Sequence, residues 1–199
     1  MRLPGMARTW QNLMEAHRTD SISLTDGIRL LIQGENDMRM SNRTHRLIKN
    51  AHFRYTVTLG EIRADSVRGI EQSLLNEVAT CDYITHGYPI IITGPTGTGM
   101  SWLASALGHH ACLCGYKVRY YNVMKLFEDL TMARIESRLP KLFERLSQFD
   151  LLILDDFGIK KLSAEQVLDL MEQSFEVIDV EASKVYKTEV EKQQILEYM

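Results

Sequence analysis

The stretch that most restricts what this chain can fold into is Ile90-Ile91-Ile92-Thr93-Gly94-Pro95-Thr96-Gly97-Thr98-Gly99-Met100-Ser101. A β-branched run feeds a glycine-rich loop, and the loop opens onto an apolar helical pattern from Trp102 to about Cys114. Strand, Gly-x-x-x-x-Gly, helix is the layout of a phosphate-binding P-loop. The glycines let consecutive N–H groups turn inward, and the helix N-terminus adds its partial positive charge. Gly94 to Ser101, with Pro95 and Thr96 included, is therefore the candidate polyphosphate cradle. Met100 stands where the motif requires a Lys to bridge the outer phosphates, whereas Ser101 keeps the hydroxyl that would ligate magnesium. The bland alternatives are an ordinary glycine-rich turn and, for Met100, apolar filling at a helix start.

A second signature is Asp150-Leu151-Leu152-Ile153-Leu154-Asp155-Asp156-Phe157-Gly158. Four apolar residues ending in two carboxylates describe a buried parallel strand with charge at its C-terminal tip. Ligands bind at that edge of open α/β sheets. Beside the P-loop, Asp155 would hold magnesium through water, and Asp156 would orient or deprotonate an attacking water. Taken alone, such a strand end is a weak signal, since acidic residues often close strands at turns. Spaced behind a P-loop with a strand and helices between, the two motifs support each other.

Before these motifs lie helical patterns. Leu3-Pro4-Gly5-Met6 reads as an opening turn, followed by Met6, Trp10, Leu13, Met14 and His17 at helical spacing. Ser23 or Thr25 caps a second helix through Ile28, Leu31 and Ile32. Gly34 loosens its end, and a third helix follows from about Asn36 to Tyr55. There Arg39, Arg43, Arg46 and Lys49 share one face, while Met40, Thr44, Leu47, Ile48 and Ala51 turn inward. The basic stripe suits non-specific contact with DNA phosphates, with a solvated face as its bland alternative. The pattern weakens between Thr56 and Gly69, which places a domain junction there. A helical stripe then runs from Ile70 to Tyr83. Lys117 to Tyr121 reads as a second strand, followed by helices starting at Val123 and after Pro140.

At 199 residues and 45% hydrophobic composition the chain can bury one core plus a small accessory domain. Its net charge of -3 confines any basic surface to a local patch. Cys81, Cys112 and Cys114 make an odd number with no Cys-x-x-Cys, and the histidines show no paired spacing among themselves, so neither a zinc site nor a disulfide framework is expected. The methionines fall mostly at apolar helical positions and read as core. No signal pattern and no bilayer-length apolar run is present, which leads to the expectation of a cytoplasmic protein without membrane contact.

Gly94 to Ser101, Ala104-Ser105-Ala106-Leu107-Gly108-His109, Gly115-Tyr116-Lys117-Val118-Arg119-Tyr120-Tyr121 and Asp150 to Gly158 together resemble the AAA+ ATPase helper proteins of the IstB family. The DnaC-type helicase loaders are a more distant likeness. The resemblance spans roughly residues 1 to 175. It implies an α/β P-loop AAA+-type parallel sheet flanked by helices, over 67–180, behind a small helical N-terminal domain, 1–66. It further implies a helper that binds ATP and magnesium, assembles on DNA as an oligomer and assists a transposase. By position, Gly94, Gly97, Thr98 and Gly99 would surround phosphates, Ser101 and Asp155 would serve magnesium, and Asp156 stands where many AAA+ proteins place a catalytic glutamate.

Two departures follow. Met100 predicts weakened nucleotide binding and little or no hydrolysis, so the motif of an ATPase is kept while its activity is in question. After about Phe175 the family's next apolar strand, which lies between the P-loop strand and the Asp155 strand, is not evident. A core truncated at its C-terminus is therefore expected, with 181–199 as a divergent tail. The leading function is an IstB-like transposition helper. The alternatives are a non-catalytic DNA- or transposase-binding module and a DnaC-type loader.

Overall fold

The computed structural model describes residues 2–18, 21–64 and 69–156, together with the backbone of Val177–Glu181. The chain divides into two compact units, Met1–Arg46 and Leu47–Met199. Packing thus places the division inside a helix, upstream of the weakly patterned stretch that the sequence marks as a junction.

The first unit holds α1, Pro4–Glu15, and most of α2, Leu24–Ala51. Pro4 opens α1, where its missing N–H costs nothing. The Ser23 hydroxyl accepts the Asp26 N–H at 3.2 Å and so caps α2. The sequence splits α2 into two helices at Gly34, but the helix runs through. A Cβ on Gly34 would lie 1.9 Å from Thr9 Oγ1, and one on Gly5 would lie 2.4 Å from the Gly34 carbonyl oxygen. Gly34 is thus a point of close approach between helices rather than a break. Glu35 is buried there, accepting the Gly5 N–H at 2.8 Å and Arg39 Nε at 2.7 Å. Of the residues expected to turn inward Met40 is exposed, and so are Trp10, Met14, Ile28 and Ile32, which the sequence places at apolar helical positions.

In the second unit, Leu47, Ile48 and Ala51 at the end of α2 pack against the core, as their spacing suggests. A 3-10 turn at Leu59–Glu61 follows. Where the sequence suggests one helix from Ile70 to Tyr83 there are two, α3, Gln72–Ala79, and α4, Asp82–His86. Between them Thr80 Oγ1 donates to the Glu77 carbonyl and accepts the Asp82 N–H, and Cys81 sits at φ +59°. The side chain of Thr80 competes with the helix ladder and ends it.

The sheet follows: β1, Ile90–Thr93; α5, Met100–Leu113; β2, Val118–Asn122; α6, Val123–Ile135; α7, Leu139–Leu146; β3, Leu151–Asp155; and β4, Val177–Glu181. All pairings are parallel, in the order β1-β4-β3-β2. Alternate residues of β2 and β3 turn to opposite faces. Val118, Tyr120, Leu151 and Ile153 pack with Ala104, Leu107 and Ala111 of α5. Tyr121, Leu152 and Leu154 pack with Leu126, Phe127 and Leu130 of α6 and Leu142 and Leu146 of α7. Gly108 lets α5 lie close, since a Cβ there would be 2.5 Å from both Ile153 Cδ1 and a Phe53 ring carbon. Met132, read as core, is exposed on α6.

The fourth strand corrects the expectation of a missing one. Ile178 pairs with Ile90 on one side and Ile153 on the other, so β4 lies between the P-loop strand and the Asp155 strand. Asp179, in the middle of Val177-Ile178-Asp179-Val180-Glu181, interrupts the continuous apolar run by which a central parallel strand is recognised. The stretches 157–176 and 182–199, including Gly158 and all but the first residue of the expected divergent tail, lie outside the described residues.

Candidate functional site

The loop between β1 and α5 is open to solvent from Pro95 to Gly99. Gly97 has φ +88° and Gly99 φ +91°, in the left-handed region that glycine adopts without steric cost. Gly99 is the N-cap of α5, so the loop delivers its backbone directly to the helix N-terminus. Thr98 closes the turn, its N–H and Oγ1 both donating to the Pro95 carbonyl at 3.2 and 2.8 Å. Gly94 is tight for a different reason: a Cβ there would be 3.0 Å from Thr98 Oγ1 and 3.5 Å from Met100 Sδ. Met100 itself is half-buried and packs against the core beside β1 and α5. Thr96 is exposed on the loop.

Asp155 is the centre of the polar arrangement. It ends β3, is 1% exposed, and has three donors. Ser101 Oγ donates to Oδ1 at 2.8 Å, while Tyr120 OH and, at 3.0 Å, Arg54 Nη1 donate to Oδ2. Burial first, then Asp155, holds the Tyr120 phenol far above its ordinary range, so it stays a proton donor. The hydrogen bond to Asp155 likewise raises Arg54. Asp156, at φ +63°, turns away from the strand and accepts from Asn122 Nδ2 at 2.6 Å and Arg54 Nη1 at 3.5 Å. Asp and Asn tolerate that backbone region better than other non-glycine residues. Asn122 is also the cap of α6, its Oδ1 accepting from Met124 and Lys125.

The structure therefore brings Ser101, Asp155 and Asp156 to one edge of the sheet beside the glycine loop. Sequence reasoning missed Arg54, Tyr120 and Asn122 as parts of this site. Tyr120 and Asn122 are readable in retrospect, since a strand parallel to β3 must place residues opposite its acidic tip; the pairing sets Asn122 against Asp155. Arg54 gives no such signal. It lies at the end of the helix expected from Asn36 to Tyr55, just beyond the observed end of α2 and 101 residues from Asp155.

The four basic residues on α2 are all exposed. Arg39 is engaged with Glu35, and Arg46 Nε donates to the Asn42 carbonyl at 3.3 Å.

The family model described as IstB-like ATP binding protein matches residues 1–188, a span that includes both motifs and β4. The chain belongs to the IstB-like ATP binding protein family. The match continues past residue 175, the expected end of the likeness. Among its relatives, the ATP-binding protein of insertion sequence IS1162 from Pseudomonas fluorescens is 33% identical over 173 residues, 86% of this chain and 75% of that one. AMPPCP-bound DnaA from Aquifex aeolicus shares the fold with TM-score 0.55 and 19% identity, over 67% of this chain and 43% of that one. The DnaC helicase loader does so with TM-score 0.53 and 17% identity, over 71% of this chain and 85% of that one. An IstB-like P-loop core of the AAA+ type thus accounts for the parallel sheet and its flanking helices. No described helix is long and apolar enough to cross a membrane.

Proposed function

We propose that this IstB-like chain is an ATP-binding helper for DNA transposition in which nucleotide hydrolysis is weak or absent. The observation that carries the proposal is the Ser101 Oγ to Asp155 Oδ1 contact of 2.8 Å at the mouth of the glycine loop, which joins the two nucleotide motifs into one site. Gly94, Pro95, Thr96, Gly97, Thr98 and Gly99 supply backbone for the phosphates, and the N-terminus of α5 favours their charge. Ser101 and Asp155 offer the oxygen ligands that magnesium prefers, which fits that ion. When bound, magnesium neutralises charge on the outer phosphates.

Met100 cannot add to that neutralisation, because a thioether carries no charge. Among the described residues the cation at the site is Arg54, and it is engaged by Asp155 and Asp156. Asp156, the candidate base, accepts both hydrogen bonds, from Asn122 and Arg54, on Oδ2. With Met100 uncharged and Arg54 engaged by the carboxylates, the outer phosphates lack, among the described residues, the side-chain cation that turnover needs.

Exposed Arg39, Arg43, Arg46 and Lys49 on α2 would meet DNA phosphates without reading bases. Exposed Trp10, Met14 and Ile28 support a protein partner, either a transposase or a second copy of the chain. The domain reading that goes with this is a helical 1–66 for contacts, a core at 67–180 for nucleotide, and a tail at 181–199, in a cytoplasmic protein.

The second reading, a DNA- or transposase-binding module without nucleotide chemistry, is favoured by Met100. The likeness to the DnaC loader concerns the fold and does not by itself argue for helicase capture. Co-sedimentation of the full chain with duplex DNA, with and without saturating ATP and magnesium, separates the readings. The helper reading expects ATP to increase assembly on DNA and salt to weaken it. Binding that ignores ATP gives the module reading, and absence of DNA binding overturns the helper reading and leaves the module reading with transposase contact alone.

A further inference from the structure

Far from the glycine loop, at the other end of α5, three sulfur and nitrogen atoms converge. Cys81 comes from the break between α3 and α4, and His110 and Cys114 lie four residues apart at the end of α5. Cys114 Sγ is 3.7 Å from His110 Nε2, and one ligand atom of each of the three residues lies within 4.8 Å of the others. Residues four apart on a helix share a face, and the left-handed backbone of Cys81 brings the third ligand to it.

We propose that Cys81, His110 and Cys114 form a binding site for a borderline-soft divalent cation of the zinc class. The donor set is the one such ions select, thiolate and imidazole, and the separations suit ligands around a tetrahedral ion with bonds of about 2.0–2.3 Å. Cys81 is 1% exposed while Cys114 is exposed, so the cluster opens from the interior to the surface and an ion can reach it. His110 Nε2 faces the Ala79 carbonyl oxygen at 2.9 Å, which orients the ring into the cluster. On binding, the two thiols release their protons to solvent and the neutral His110 ring keeps its one proton on Nδ1, leaving the Nε2 lone pair for the ion; the fourth position is left to water or to that carbonyl. The ion would tie the α3–α4 break to α5, the helix whose other end carries the loop.

Spacing hides this site from the sequence, because Cys81 is remote in the chain and His110 is masked by its neighbour His109. The proposal does not depend on the nucleotide reading, and neither does its test. Cobalt is titrated into the full-length, reduced, metal-free chain, followed by absorbance. The expected result is a thiolate-to-cobalt band in the near ultraviolet with visible bands of a tetrahedral ion, at one equivalent and displaced by zinc. Cys114→Ser and His110→Gln weaken binding by about tenfold or more, whereas Cys112→Ala, which alters a thiol outside the cluster, leaves the bands in place. Both ligand variants change partly or fully exposed positions, and far-UV circular dichroism checks that they fold. Absence of the sulfur band overturns the site, as does a band that titrates with unchanged affinity in Cys114→Ser. A Cys81–Cys114 disulfide in a chain that takes no cobalt after reduction assigns the pair to thiol redox chemistry instead.

Discussion

Asp155 shows how a single buried carboxylate can be retained at a sheet edge. Left without partners at 1% exposure it would be strongly disfavoured, but Ser101, Tyr120 and Arg54 each donate to it. Tyr120 is the buried donor, with a phenol held in the protonated form. Tyr120→Phe should therefore destabilise the chain by about 2 kcal/mol, the scale of a hydrogen bond to a charged group, as measured by denaturant unfolding. An unchanged midpoint and slope would mean that Ser101 and Arg54 already satisfy the carboxylate. The thiols differ in the same local way. Burial pushes Cys112 up to about 12, while Cys114 lies at the surface. Alkylation of the metal-free, reduced chain should consequently mark Cys114 well before Cys112, and mass mapping that finds the reverse order would show that α5 opens at its end.

At the scale of elements, the α1–α2 contact is built on a charge. Arg39, with help from the Gly5 and Met6 N–H groups, holds the Glu35 carboxyl below its usual range. A carboxyl lowered on folding contributes stability that is present above its unfolded pKa and is lost as pH falls through the lowered folded value. Thermal midpoints from neutral to strongly acidic pH should fall more steeply for the parent than for Glu35→Gln, which should also start lower at neutrality. Parallel curves would remove Glu35 from the account. This contact also shows where sequence reading fails. Gly34 reads as a helix breaker by propensity, yet the close approach of Thr9 and Gly5 demands a residue with no Cβ in mid-helix. β1, α5 and β3 are legible because a glycine loop and an unbroken apolar run report the local backbone directly. β4 is not, since Asp179 interrupts its pattern and its place is set by pairing to Ile90–Thr93 and Leu152–Leu154. Arg54 escapes for the same reason, being placed by tertiary packing rather than by periodicity.

For the molecule as a whole, the sheet order β1-β4-β3-β2 holds the glycine loop and Asp155 at one edge, and a match over residues 1–188 places the chain among IstB-like proteins. The proposed function requires a formed nucleotide cradle that the Met100 side chain weakens. Calorimetric titration of magnesium-ATP into the full chain and into Met100→Lys tests this most directly. An ammonium on the outer phosphates adds charge-assisted hydrogen bonds of about 1.5–3 kcal/mol, so the Lys version should bind about tenfold tighter or more. Equal affinity in the two chains would contradict the claim about Met100, and failure of both to bind would contradict the claim that the cradle is formed.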